Sequence, residues 1–382
     1  MSPSDSRAAD FVGAALGTFW VSFFAASVVA DANLFPGVSE RLRAIAKRGK
    51  DDDGKQDGAS SHKSSGWHVP HKWFTHFYVV GVVCNGFVLV HAVGLVAELR
   101  STGGREGSTS LITDEIESSA RGALVAVLFQ IHVTRRLCES LFLSKHNPHA
   151  KMHVVGYLVG MAYYVAAPLT LASGETIEKL CGVAMEAWES GMNAVVIRAA
   201  SEQGIHQSII AAHHTICAFL VTVVSAIHAS TPRRLDLLIN SGVNSTVTSS
   251  LSNLSSVFGT LVFAFGNLNQ SWCHSQLAGL RKGQGAKGKG QGVKGAYKIP
   301  TGGWFTYVSC PHYFHEVVLY FGLAVVSGAD TFYRLAPMLC AVVGNLWLTA
   351  QQTHVWYRKT FPKYPKERKA MVPGWGSSRD LE

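Results

Sequence analysis

The segment that decides the fold is IPTGGWFTYVSCPHYFHE, residues 299–316, which continues as VVLYFGLAVVSG into a long apolar run. Pro300 and the pair Gly302-Gly303 interrupt regular structure, so the chain must enter the following helix from a turn. A carboxylate at the start of an apolar segment costs roughly 2.5 to 3.5 kcal/mol if it is left unpaired in lipid. Glu316 is therefore predicted to face a polar cavity, which makes it a candidate functional residue.

The composition indicates an integral membrane protein. The 382 residues are 47% hydrophobic and 15% charged, and the apolar residues fall in blocks long enough to cross a bilayer. The net charge of +9 comes from basic residues beside these blocks, which favours a topology signal over nucleic-acid binding. The seven cysteines form no CxxC pair, so we expect neither a disulfide framework nor a metal site.

The apolar blocks predict an all-α integral membrane protein, a bundle of about seven transmembrane helices. The predicted crossings are residues 11–30, 73–97, 121–143, 152–172, 254–273, 313–326 and 335–357. The segments 34–72, 144–151, 281–298 and the tail after residue 357 are basic, whereas 98–120 is acidic. Because cytoplasmic loops accumulate Lys and Arg, this pattern predicts a lumenal N-terminus and a cytoplasmic C-terminus.

The segment 208–228 leaves the crossing number open. It is apolar enough for an eighth crossing, but histidines lie in it and just before it, at positions 206, 213, 214 and 228. A lumenal or interfacial insertion and a paired or re-entrant excursion are both compatible with the seven-crossing pattern. His213 and His214 point about 100° apart on a helix, which favours a structural role over metal binding.

Three further patterns carry polar groups. His132, Arg136 and Glu139 are spaced i, i+4, i+7 and therefore share one helical face. The basic glycine-rich loop 281–298 lacks the P-loop and Rossmann patterns, so by itself it indicates a flexible linker. Tyr163 and Tyr164 are typical packing or interfacial residues, although one of them could line a cavity.

Four blocks, taken in order, resemble the steroid 5-alpha-reductase family, and most closely its polyprenol reductase branch. These are the SCPHY-containing segment 299–316, VPHKWFTHFYVVGVVCNGF at 69–87, HVTRRLCE at 132–139 and YRKTFPKYPKERKAMVP at 357–373. Four ordered blocks are more specific than any one of them. With the resemblance, the chain divides into four segments: an anchor helix with a disordered cytoplasmic connector (1–72), transmembrane helices 2–4 (73–172), an insertion (173–250) and a reductase-like C-terminal domain with the cofactor site (251–382).

The resemblance implies a multi-pass enzyme of the endoplasmic reticulum membrane that uses NADPH to reduce a carbon–carbon double bond. In the polyprenol reductase branch the reaction saturates the α-isoprene unit of polyprenol or polyprenal on the way to dolichol, which supports protein N-glycosylation. The expected partners are this long-chain lipid and membrane lipids, with no nucleic acid and no obligate protein partner. Another enone reductase, acting on a sterol or an acyl-CoA, and a non-catalytic lipid-binding protein remain as alternatives.

The resemblance also assigns site residues. The residues matched to the NADPH grip, together with those where the cofactor loop begins and ends, are Arg136, Arg281, Tyr297, Lys298, His312, Glu316, His354 and Tyr357. The steroid enzymes carry a Gln-Glu pair where this chain has His76 and Phe77, and a tyrosine where it has Val133. Their clamp on a steroid ketone is therefore missing, and the predicted catalytic residues are His76, Tyr78 and Glu316.

Hydride chemistry narrows the substrate. Hydride addition to an isolated alkene leaves an unstabilised carbanion, whereas an α,β-unsaturated carbonyl places the negative charge on oxygen as an enolate. The protein must then bind the carbonyl oxygen with hydrogen-bond donors and protonate the α-carbon. The aldehyde polyprenal is for this reason the expected hydride acceptor, because the allylic alcohol offers no such electron sink.

Overall fold

The computed structural model describes residues 3–32, 34, 36–46, 67–106, 110–144, 150–184, 186, 245–282, 298–328 and 331–375. The described helices are α1 (Pro3–Ala32), α2 (Pro36–Ala46), α3 (Thr75–Glu106), α4 (Ser110–Cys138), α5 (Val154–Leu171), α6 (174–184), α7 (Ser245–Lys282), α8 (Pro311–Ser327) and α9 (Phe332–Thr360). A π-helical turn, Glu139–Leu143, extends α4, and 3₁₀ turns at His71–Phe74 and Gly303–Thr306 precede α3 and α8. The strands β1 (His68–Pro70) and β2 (Lys151–His153) complete the described elements. The predicted helical class is thus confirmed.

Within the described part of the chain, three helices are long and apolar enough to cross a membrane: Asp10–Ala32, His71–Thr102 and Val154–Leu171. The long helix α7 has a different character because its two faces differ. Large apolar side chains are exposed along one face, namely Leu254, Val257, Phe258, Leu261, Phe265 and Leu268. The opposite face directs Asn267, Gln270 and His274 into the bundle. Polar residues therefore lower its mean hydropathy although its outer surface is apolar.

Helices α7 and α8 pack with their backbones in close contact. A Cβ atom at Gly266 would lie 2.7 Å from the Leu319 nitrogen, and one at Gly322 would lie 2.5 Å from the Phe263 nitrogen. Gly259 meets Gly322 and Val326 in the same way. Small residues permit such an approach, and in membranes they are the usual means of tight helix association. This crossing fixes the position of α8 relative to the polar face of α7.

A two-stranded ribbon holds together the starts of α3 and α5. β1 and β2 pair antiparallel, with His68 opposite His153. The sequence did not predict this ribbon. The Thr75 hydroxyl lies 2.7 Å from the Ser140 hydroxyl, which also places the end of α4 beside the start of α3. We call this end of the bundle, where α3 and α5 begin and α4 ends, the site end.

The helices extend beyond the predicted apolar blocks. The segment 98–120 was predicted to be a loop, but α3 continues to Glu106 and α4 begins at Ser110. Helical hydrogen bonds are satisfied within the segment, so a helix can continue into a polar sequence. The connector residues 47–66, most of the insertion (187–244) with its four histidines, and residues 283–297 lie outside the described residues.

The first helix packs against the last. Trp20 of α1 is fully buried, and its indole nitrogen donates to the Thr170 hydroxyl of α5 at 2.8 Å. Further along α1, Phe24 and Ser27 lie against Gly344 of α9. The helix predicted as an anchor is therefore packed into the bundle as one of its helices.

Candidate functional site

A charged network occupies the site end, where α4 meets α7. Glu139 accepts hydrogen bonds from Arg135 and from Arg136, the latter at 2.5 Å, and its carboxylate lies 2.7 Å from Nδ1 of His274. Nδ1 of His274 is also 2.8 Å from the Arg136 guanidinium. Glu139 is 8% exposed, whereas the two arginines and His274 each retain some exposure. One buried carboxylate therefore organises two guanidiniums and an imidazole that remain partly accessible.

Gln270 extends this network to α8. Its amide oxygen accepts from Arg135, and its amide nitrogen donates to Glu316 at 3.0 Å. Asn267, one turn earlier on α7, accepts from Arg135 Nε at 2.9 Å. Because Gln270 is fully buried, its hydrogen bonds to Arg135 and Glu316 set the position of the Glu316 carboxylate relative to the arginines.

Four tyrosines lie deeper between the helices. Arg136 donates to the Tyr78 hydroxyl at 2.5 Å, and its guanidinium carbon is 4.8 Å from the centre of the Tyr78 ring. The Tyr164 ring packs edge-on against Tyr78, with their centroids 5.4 Å apart. The Tyr163 hydroxyl donates to the Tyr320 hydroxyl at 2.7 Å. Phenolic groups from α3, α5 and α8 thus share one largely apolar interior.

A second hydrogen-bonded group lies where the chain leaves α9. The Ser309 hydroxyl is 2.6 Å from Nδ1 of His354 and 2.7 Å from the Tyr364 hydroxyl. The Tyr357 ring stacks on Tyr364 at 5.2 Å. Burial raises the pKa of the Tyr364 hydroxyl above its ordinary value. We call Ser309, His354, Tyr357 and Tyr364 the tail clamp, because they fix the segment that follows α9.

The segment 299–316 joins the two groups. Arg368 of the tail donates to the Pro300 carbonyl at 3.0 Å, and the Ser309 hydroxyl forms hydrogen bonds with His354 and Tyr364 in the tail clamp. His312 and Glu316, in the first turns of α8, contact the α7 network. The ring of His312 lies 5.6 Å from that of His274, and Glu316 accepts a hydrogen bond from Gln270. The start of α8 therefore holds both halves of the candidate site together.

Comparison with known proteins identifies the family of the chain. Residues 236–375 match the protein-family model described as 3-oxo-5-alpha-steroid 4-dehydrogenase. Polyprenal reductase 1 of Oryza sativa subsp. indica is 32% identical over 361 residues, covering 87% of each chain. The chain belongs to the steroid 5-alpha-reductase family, in its polyprenal reductase branch. Polyprenal reductase 1 of Arabidopsis thaliana is 31% identical over 309 residues (80% of this chain, 81% of the relative), and polyprenal reductase of Caenorhabditis elegans is 28% identical over 349 residues (88% of each).

The described residues that the family resemblance predicts fall into three sets. Tyr78, Arg136, His312 and Glu316 lie in or beside the charged network. His354 and Tyr357 belong to the tail clamp, and Lys298 is exposed two residues before Pro300. His76 lies apart from both groups: it is exposed, and its Nδ1 is 3.1 Å from the Tyr157 hydroxyl. Tyr297 and the side chain of Arg281 lie outside the described part of the chain.

Sequence reasoning missed the polar face of α7. Asn267, Gln270 and His274 are spaced i, i+3, i+7, which places them on one face of a helix that is otherwise apolar. Polar and ionisable residues inside a membrane helix indicate a functional site, so this spacing could have found them in a family of membrane reductases. The neighbouring Arg135 was also passed over, although it lies three residues after His132 and four before Glu139 and so shares their helical face.

Proposed function

We propose that this chain is an NADPH-dependent polyprenal reductase of the endoplasmic reticulum membrane. It would saturate the α-isoprene double bond of a long-chain polyprenal, a CH–CH oxidoreduction that leads towards dolichol and supports protein N-glycosylation. The observation that carries the proposal is a network of arginine, carboxylate and tyrosine side chains inside an apolar helical bundle. The relatives named polyprenal reductase, which align over most of the chain, support the same substrate.

The interior suits an α,β-unsaturated aldehyde. The Tyr78 hydroxyl accepts a hydrogen bond from Arg136, and a phenol can also donate one to a carbonyl oxygen. The adjacent guanidinium favours negative charge on that oxygen, as the enolate requires. Phe77 and Val133, which replace the polar residues of the steroid enzymes, are both buried and apolar. We therefore expect an isoprenoid chain to bind through apolar burial, at about 25 cal/mol per Å², and Tyr78 to orient its carbonyl end.

The residues present fit NADPH, which supplies a hydride when it is bound. Between Tyr357 and Ala370 the chain carries six basic residues and one acidic residue, a composition suited to phosphates: Arg358, Lys359, Lys363, Lys366, Arg368 and Lys369, with Glu367. Arg368 is buried, and its Nε has no hydrogen-bond partner among the described residues. Arg136, His312 and Glu316 would hold the cofactor from the network side, and Lys298 and the basic tail would hold its phosphates.

The same proposal includes the topology of seven crossings. The apolar outer face of α7 faces lipid in this arrangement, with its polar face turned to the site. The site end carries the turns before α3 and α5, the end of α4 and the tail that follows α9, and these adjoin the basic segments. A cytoplasmic site end would give NADPH access to the network from the cytosol.

The experiment uses the purified full chain in detergent with NADPH and three separate substrates: polyprenal, polyprenol and a steroid enone. We expect mass spectrometry to detect saturated aldehyde from polyprenal and little product from the other two. A steroid rate equal to that of polyprenal would overturn the substrate assignment. Reduction of the alcohol without a carbonyl intermediate would overturn the mechanism.

Cofactor binding is tested without turnover. Glu316→Gln and Tyr357→Phe should each weaken NADPH binding, measured by fluorescence titration, by about tenfold to a hundredfold, the effect of losing a hydrogen bond to a charged group. Lipid binding should change less. Tyr307→Phe is the matched control, because that ring is 60% exposed and outside both groups. Wild-type NADPH affinity in both variants would remove Glu316 and Tyr357 from the cofactor site.

A further inference from the structure

The reduction proposed above needs two hydrogen-bond or proton donors, one for the carbonyl oxygen and one for the α-carbon. The charged network accounts for the first of them. Tyr78 is placed to serve the carbonyl oxygen, but the α-carbon must also receive a proton after hydride has reached the β-carbon. That second donor must lie in the same interior, away from the Tyr78–Arg136 pair. The paired hydroxyls of Tyr163 and Tyr320 meet this requirement, and nothing described so far uses them.

We propose that Tyr163, supported by Tyr320, is the acid that protonates the α-carbon of the substrate. This inference rests on the proposed function. The O–H bond of Tyr163 breaks and a C–H bond forms at the α-carbon, using the electron pair of the enolate, while the carbonyl double bond is restored. The negative charge passes to the Tyr163 oxygen, which later regains a proton from water.

The geometry distinguishes the two phenols. Tyr320 is 1% exposed, whereas Tyr163 retains accessible surface, so Tyr163 is the one that an incoming molecule can touch. Their oxygens are 2.7 Å apart, and a hydroxyl hydrogen can rotate. Once Tyr163 has lost its proton, Tyr320 can turn its own hydroxyl to donate to the phenolate. Among the described residues neither hydroxyl makes another hydrogen bond, so neither proton is committed elsewhere.

The surrounding side chains hold Tyr163 in place. The Trp20 ring of α1 packs edge-on against it, with centroids 5.3 Å apart and planes at 88°. The indole nitrogen of Trp20 is itself fixed by Thr170. On the other side Tyr164 lies against Tyr163 at 5.1 Å and connects it to the ring of Tyr78. One ring, that of Tyr164, therefore separates Tyr163 from Tyr78, the residue proposed to bind the carbonyl, and Tyr163 has a rigid aromatic support.

The test runs the protonation step backwards and needs no NADPH. An enzyme that protonates the α-carbon must also exchange the α-hydrogens of a saturated aldehyde with solvent. The full chain in detergent is incubated with citronellal, a short saturated isoprenoid aldehyde, in D₂O at mildly alkaline pH, and deuterium at the α-carbon is followed by mass spectrometry. We expect the wild-type protein to accelerate exchange over buffer. Tyr163→Phe should lower the accelerated rate by roughly 10²- to 10⁴-fold, the usual contribution of a general acid or base.

Two further variants complete the design. Tyr320→Phe should slow exchange by about tenfold, because the phenolate loses one hydrogen bond, and it serves as the test if Tyr163→Phe does not fold. Tyr307→Phe should leave exchange unchanged. Each variant must have a thermal unfolding midpoint and a citronellal affinity close to those of the wild-type protein. If the two tyrosines had only a structural role, their substitution would change these two quantities but would leave the exchange rate of the folded protein unchanged.

The outcomes separate this inference from the proposed function. Wild-type exchange in folded Tyr163→Phe, or in folded Tyr320→Phe, would overturn the assignment. So would a wild-type protein that reduces polyprenal but catalyses no exchange. In these cases reduction of polyprenal by the wild-type protein would stand. Failure of the wild-type protein to reduce polyprenal would instead overturn the proposed function.

Discussion

At the scale of single residues, Glu139 is the centre of charge in the site. Arg135, Arg136 and His274 all converge on its carboxylate, and little of Glu139 is exposed. A buried ion pair is weak evidence of stability by itself, but removing one partner leaves an uncompensated charge in a poorly solvated place. Here two guanidiniums would lose their shared anion at once.

We therefore expect Glu139→Gln to lower the free energy of unfolding by about 3–5 kcal/mol, seen as a lower thermal midpoint in detergent. Glu98→Gln is the control, because Glu98 is 62% exposed and pairs with Lys179 at 2.6 Å. An exposed pair contributes about 0–1 kcal/mol. Equal midpoints for the two variants would contradict the central role of Glu139.

At the scale of elements, the crossing of α7 and α8 sets the site geometry. Gly266 lies one turn before Gln270, and its Cα faces the backbone of α8 near His315 and Leu319. The hydrogen bond from Gln270 to Glu316 spans the same two helices. A change in helix separation at the glycine is therefore transmitted directly to the carboxylate.

Gly266→Ala should destabilise the protein by about 1–3 kcal/mol, the usual cost of overpacking, and should also weaken NADPH binding. Gly279→Ala on the same helix is the matched control, because a Cβ there meets no atom within 4 Å. Alanine favours a helix by about 1 kcal/mol over glycine, so the control should be neutral or slightly stabilised. Two indistinguishable variants would show that the close crossing is dispensable.

The tail clamp is the second element that can be tested. Ser309→Ala removes the hydroxyl shared by His354 and Tyr364, and leaving buried polar groups unsatisfied costs about 1–3 kcal/mol. We expect faster proteolysis or hydrogen exchange in residues 361–372. Ser327→Ala is the control, because this buried hydroxyl bonds only to Ala324 within its own helix among the described residues. Unchanged protection of the tail in Ser309→Ala would refute the clamp.

At the scale of the whole molecule, the proposed topology places both the site end and the C-terminus in the cytoplasm. In sealed microsomes, added protease should remove a tag placed after Glu382 and spare a tag placed before Met1. Permeabilised microsomes, in which both tags are cleaved, provide the control. Protection of the C-terminal tag would contradict the seven-crossing arrangement.

The sequence predicted the parts of this molecule that have strong local signals. Apolar blocks predicted the helices, and the HVTRRLCE and SCPHY blocks led to Arg136 and Glu316. The β1–β2 ribbon escaped because strands of three residues have no readable period. Gln270 was not predicted for a different reason. Its hydrogen-bond partners lie 135 and 46 residues away in the chain, and only the packing of the helices brings them together.

The contact between α1 and α9 has a consequence for biosynthesis. Trp20 and Phe24 leave the ribosome early, but Gly344 of α9, against which Phe24 rests, is made much later. During synthesis the inner surface of α1 therefore stays uncovered until α9, more than 300 residues later in the chain, has been made. Closure of the bundle is thus a late event. A chain cut short before α9 would present an unmatched aromatic surface by which the cell's quality-control machinery could recognise an unfinished product.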